Sequence, residues 1–119
     1  MRYLRFQNYL IALAARGAEM IVFEEVRHHV GTAAAHVYGG LVAMITAVCE
    51  AHEYQYTSVP IGTWKKAVCG KGNIKPADYL AFVQENMASS CKTEDEAAAL
   101  CILEWAERQY NASEADYLQ

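Results

Sequence analysis

No C-x-x-C pair occurs among the four cysteines, Cys49, Cys69, Cys91 and Cys101, and no histidine stands at zinc-finger spacing from them. That absence argues against a structural zinc site, and the spread thiols read as reduced cysteines of a cytosolic protein. No histidine and cysteine spacing suggests a nucleophilic dyad. No apolar run approaches the ~18 residues of a membrane span, so the reading is a soluble chain with no membrane partner. The opening stretch "MRYLRFQNYLIALAARGAEM" has basic and apolar residues, but Gln7 and Asn8 interrupt it and its apolar positions follow a helix face, which argues against a signal peptide. Positive charge is not in excess either: the net charge is −4. A globally basic nucleic-acid binder is thereby excluded, while a local basic patch is not.

What is present is ordinary in amount and uneven in distribution. With 119 residues, 54% hydrophobic and 20% charged, the chain is expected to form one domain with a sizeable core. Tyr3, Phe6, Leu10 and Leu13 predict an amphipathic helix that Gly17 ends. "MIVF" reads as a short buried strand, followed by two glutamates and the loop "RHHVGT". Thr32 is the expected N-cap of a helix carrying Val37, Leu41, Met44, Ile45 and Val48 on one side. "YQYTSV" alternates as a second strand, stopped by Pro60 and Gly62.

A short helix around "TWKKAV", a glycine-containing loop "CGKGNIK" and a helix opened by Pro76 follow, the last with Leu80, Val83 and Met87 facing inward. The final helix starts near Thr93 or Asp95 as cap and buries Ala98, Cys101, Ile102 and Trp105. Residues 111–119 read as a polar tail that frays. This order is α/β, with oddly few strands for four to five helices.

Two local features carry chemistry. The first is acid placed on separate elements: Glu24 and Glu25 at a strand end, and "TEDE", with Asp95, at a helix start. Converging carboxylates of this kind hold hard divalent cations, and nucleases use such ions to activate water. Caps and helix-dipole partners account for the same residues equally simply. The second is a basic stretch. Between Glu53 and Asp78 there is no acid, yet Lys65, Lys66, Lys71 and Lys75, four of the five lysines, fall there beside Gly70 and Gly72. Backbone amides at those glycines and the nearby Tyr56 and Trp64 suit phosphate and stacking contacts. A solvated turn is the plain alternative, because "GKGNIK" has neither Walker nor dinucleotide-binding spacing. His28 and His29 stand where they could touch a phosphate or simply be exposed.

Taken in order, "IVFEEV", "GTAAAHVYGGLVAMITAV", "VPIGTWKKAVCGKGNIKPADYLAFV" and "TEDEAAALCILEWA" resemble the RuvC family of Holliday junction resolvases, in the RNase H-like superfamily, particularly its phage-type members. The resemblance covers about residues 18–107. It implies an RNase H-like (RuvC-type) α/β fold and a Mg²⁺-dependent (or Mn²⁺-dependent) endonuclease for branched DNA. It further implies a homodimer in the cytoplasm of a bacterium or a phage-infected host. Carried over by position, Glu24 matches the catalytic strand glutamate, Asp95 the first acid of the last helix, and Lys75 the lysine after the glycine loop. Lys65, Lys66 and Lys71 join Lys75 as the expected phosphate contacts.

Two departures stand out. The family's first strand carries a metal-binding aspartate, whereas only a helix precedes Glu24 and its sole acid is Glu19. The family's second aspartate on the last helix, three residues after the first, is here Ala98. The expectation is therefore an incomplete fold, lacking the N-terminal strands, with two of about four ligands. The alternative is a non-catalytic RuvC-derived protein that binds DNA or a partner.

Overall fold

The computed structural model describes residues 1–118, with side chains described through residue 112. In chain order the elements are α1 (Arg2–Ala15), β1 (Met20–Glu25), α2 (Thr32–His52), β2 (Gln55–Pro60), α3 (Ile61–Cys69), α4 (Pro76–Asn86) and α5 (Glu94–Leu118). The two strands pair in a parallel sheet with α2 as their connection. Five helices around a two-stranded sheet is the strand-poor α/β arrangement expected from the pattern.

The chain divides into two compact units. The first comprises Met1–Ile21 and Val26–Ser58. In it Leu10 and Ala14 of α1 are buried, as are Ile45, Val48 and Cys49 of α2. The Tyr54 hydroxyl donates to the Ala14 carbonyl over 2.8 Å. Gly40 lets the Tyr3 ring lie directly against α2, where a β-carbon would push the ring aside. α1 ends as its sequence indicates, Gly17 taking φ +93.

α2 departs from expectation at both levels. Its cap is Gly31, at φ 87, without a side-chain bond from Thr32, which is already helical. Over its most apolar window its mean hydropathy is 1.5, so by length and composition it is long and apolar enough to cross a membrane. The sequence hides this because alanine raises the average while glycine, threonine and histidine keep the large apolar side chains from forming an unbroken run.

The second unit comprises Val22–Glu25 and Val59–Gln119. Its core gathers Val59, Trp64, Val68, Tyr79, Val83, Cys91, Ala97, Cys101 and Ile102. Trp64 has no exposed surface at all. α3 is longer than its sequence signal, taking in Ile61 and Gly62, and Gly70 closes it at φ 87, a conformation that costs other residues roughly 1–2 kcal/mol. Pro76 stands at the first turn of α4 as expected, and Tyr79 joins Val83 in its buried face while Met87 lies beyond the helix and is exposed. In α5, Ala97 rather than Ala98 is fully buried, with Cys101 and Ile102. α5 also continues through the stretch expected to fray, as far as Leu118, and Gln119 lies outside the described residues.

Candidate functional site

β1 continues through both glutamates, so its last two side chains alternate across the strand and are directed to opposite faces. Glu24 thereby meets α3: the indole Nε1–H of Trp64 donates to Glu24 Oε1 over 3.1 Å, between residues 40 positions apart. A half-buried carboxylate at a strand end thus has a fixed donor supplied by the largest side chain of the core. Trp64 is held in turn by Tyr79 from α4, whose ring meets it edge-on with centroids 5.4 Å apart. Such pairs add about 0.5–1.5 kcal/mol to the burial itself.

Tyr79 reports what surrounds it. Burial, followed by the carboxylates of Glu94, Glu24 and Asp95 and by the Cys101 thiol, pushes its hydroxyl above the ordinary 10.0. The strand acid Glu24 and the helix acids Glu94 and Asp95 belong to the same unit as this hydroxyl and all act on it in the same direction. Asp95 is exposed and is not the cap of α5. That role falls to Thr93, whose Oγ1 accepts from the Glu96 amide over 3.1 Å, while Glu96 reaches back to the Lys92 amide.

The four lysines separate into two groups. Lys65 lies over aromatic rings, its Nζ 5.9 Å from the Trp64 centroid and 5.5 Å from that of Tyr79. This is cation–π geometry, and it sets a positive charge over both rings of the Trp64–Tyr79 pair. Lys66, Lys71 and Lys75 are exposed. They stand on or beside the turn that links α3 to α4, where Ile74 donates its amide to the Lys71 carbonyl and Lys75 supplies the carbonyl that opens α4. Ile74 packs against the core and pins this turn. The loop glycines differ in need: Gly70 occupies a left-handed conformation, while a β-carbon on Gly72 would make only an ordinary contact.

The histidines are elsewhere in the account. His29 leans against the Tyr38 ring at 5.0 Å, and His28 is exposed. Ala98, at the position of the family's further acid, is partly buried against the core.

The acids present do not by themselves build a hard-cation site. Mg²⁺ asks for near-octahedral oxygen ligation. Among the described residues no group of three or more histidine, cysteine, aspartate or glutamate side chains is placed to hold a metal ion. One oxygen of Glu24 is already engaged by Trp64. The site comprises Glu24 bonded to the buried Trp64–Tyr79 pair, Lys65 over both rings, and three exposed lysines at and after the end of α3.

Tyr79 is the member that sequence reasoning passed over, and Trp64, read there as a stacking contact for nucleic acid, is instead fully buried, so no base can reach its ring. Aromatics at helical spacing read as core, which they also are, and nothing local reveals that an indole N–H reaches an acid 40 residues away.

Among solved structures, the chain is similar to that of Thermus thermophilus RuvC, with a TM-score of 0.73 over 91% of this chain and 69% of that one, at 14% identity. The fold is RuvC-like. No family model and no curated protein matches the chain. In a RuvC-like fold the chain's strand acid and last-helix acids occupy one unit with the lysine turn.

Proposed function

We propose that this chain is a crossover-junction endodeoxyribonuclease-like protein of the phage type. It engages branched DNA through Lys66, Lys71 and Lys75, with Lys65 set back onto the rings as an internal counter-charge. Glu24 and Asp95 are two acids of a Mg²⁺ (or Mn²⁺) centre for phosphodiester hydrolysis, which these 119 residues do not complete. The remaining carboxylates are supplied by a partner. The observation that supports this reading most is the RuvC-like fold, in which Glu24, Glu94 and Asp95 share one unit with the lysine turn.

The chain's own residues have definable tasks in this reading. Trp64 fixes one oxygen of Glu24. Lys66 at the end of α3 and Lys71 and Lys75 in the pinned turn are exposed to solvent, and phosphate neutralisation by such lysines releases counterions and supplies sequence-independent affinity. The protein works in the cytoplasm as a homodimer, α2 serving as a packing helix; a monomer in sedimentation at micromolar concentration would reject the dimer.

The test is a labelled four-way junction incubated with the protein and Mg²⁺ or Mn²⁺, beside Glu24→Gln. Binding of the junction with no cleavage above that control is expected from these 119 residues alone. Cleavage is expected once the missing carboxylates are supplied. Clear cleavage by the chain alone would show the acid set to be complete and overturn the two-acid reading.

A second reading, a non-catalytic RuvC-derived DNA-binding or dimeric interaction protein, is favoured by the lack of a metal-holding group among the described residues. It separates from the first when carboxylates are supplied: junction binding persists and hydrolysis never appears.

A further inference from the structure

Two thiols of the second unit meet where α3 packs on α5. Cys69, the last residue of α3, and Cys101, two turns into α5, bring their sulfurs to 3.9 Å across 32 residues of sequence. Both are free thiols. Cys101 is wholly buried, whereas Cys69 is half-buried and keeps a path to solvent. The two helices are also held together nearby: Arg108 of α5, paired with Glu104 at 2.9 Å, donates through Nη1 to the Ala67 carbonyl in the last turn of α3.

We propose that Cys69 and Cys101 are a thiol pair that closes to an intramolecular disulfide on exchange with a low-molecular-weight disulfide such as oxidised glutathione. Cys69 is the entry sulfur and Cys101 the resolving one. For the bond to form, the sulfurs close from 3.9 Å to ~2.05 Å by side-chain rotation between helices that already pack together.

The step balances without any further oxidant. The Cys69 thiolate attacks one sulfur of the small disulfide, forming a mixed disulfide and expelling one thiolate. Cys101 gives its proton to a thiolate or water and attacks the Cys69 sulfur. The protein disulfide forms and the second small thiol leaves, so two protein thiols are oxidised while one small disulfide is reduced to two thiols.

The order of attack follows from the surroundings. Burial, the Cys69 sulfur beside it, and Cys91 and Glu104 push the Cys101 thiol up to about 12, so it does not ionise first. Burial also raises Cys69, but the Cys101 thiol and Lys65, one turn earlier on α3, act the other way. The consequence for the molecule is local. The bond would lock the end of α3, and with it Gly70 at the start of the lysine turn, onto α5.

The experiment uses the full chain. It is incubated with oxidised glutathione, quenched by alkylation and weighed intact, then peptide-mapped without reduction. The expected product is a monomeric chain lighter by two hydrogens, with two of four thiols alkylated and a peptide joining Cys69 to Cys101. Cys69→Ser is expected to block the bond and to remain unmodified by glutathione. Cys101→Ser is expected to stop at the mixed disulfide, and as a conservative change at the buried site it is checked for folding by circular dichroism. A wild-type chain that stays glutathionylated at Cys69, pairs through Cys49 or Cys91, or links only between two copies would overturn the proposal. These readouts do not depend on DNA, so their failure leaves the proposed function standing and its failure leaves them standing.

Discussion

Glu24 depends on a donor that also builds the core. An indole N–H aimed at a carboxylate is a charge-assisted bond, stronger than a neutral one, and its loss strands an acceptor that is only partly open to water. In a double-mutant cycle pairing Trp64→Phe with Glu24→Ala, urea unfolding is expected to give a coupling energy of about 1–2 kcal/mol. A value near zero would mean the 3.1 Å contact is incidental. Trp64→Ala, by contrast, is expected to cost about 3–5 kcal/mol through the cavity it leaves, and so cannot isolate the bond.

Titration of the core follows from the same packing. Cys101 is raised to about 12 from 9.0, and Tyr79 is raised above 10.0. A group whose folded value lies above its unfolded value holds its proton longer when folded. Its stabilisation is complete below the unfolded value and disappears as pH rises towards the folded one. Unfolding free energy is therefore expected to fall as pH rises from 9.0 towards 12, measured by urea titration, with Cys101→Ala flattening the fall. A slope unchanged in that variant would contradict the assignment. At this scale Glu24 and Asp95 were legible as acids at element ends, while the contacts made by Trp64 and Tyr79 were not. Their distinguishing contacts join β1 to α3 and α3 to α4, and no periodicity within one helix encodes a contact with another.

The elements themselves are where sequence reading succeeded most. Apolar spacing located all five helices and both strands, because burial of one face dictates that spacing whatever the tertiary context. The ends were less legible. α2 starts on Gly31 rather than on the hydroxyl of Thr32, and α5 runs to Leu118 through residues whose polarity suggested a tail. Capping depends on the exact backbone conformation of one residue, and two or more chemistries satisfy it. At α5 the hydroxyl is used: Thr93 accepts from Glu96, and that bond sets the orientation of the turn bearing Glu94 and Asp95. Thr93→Ala is expected to lower stability by about 1 kcal/mol in chemical denaturation. Thr93→Ser should restore most of it. Full stability in the alanine variant would show the cap to be dispensable.

Across the whole molecule, a chain of net charge −4 keeps three exposed lysines, Lys66 at the end of α3 and Lys71 and Lys75 in the turn after it, within one stretch free of acids. Segregation of this kind has a cost in self-repulsion and a use in holding phosphates. The most direct measurement is the affinity for a four-way junction as a function of salt, for the wild type and for a Lys71→Ala, Lys75→Ala double variant. The account predicts that log affinity of the wild type falls linearly with log salt, that a junction is preferred to linear duplex, and that the double variant binds more weakly with a slope shallower by about 2. Equal affinity and equal slope for the two proteins would contradict it.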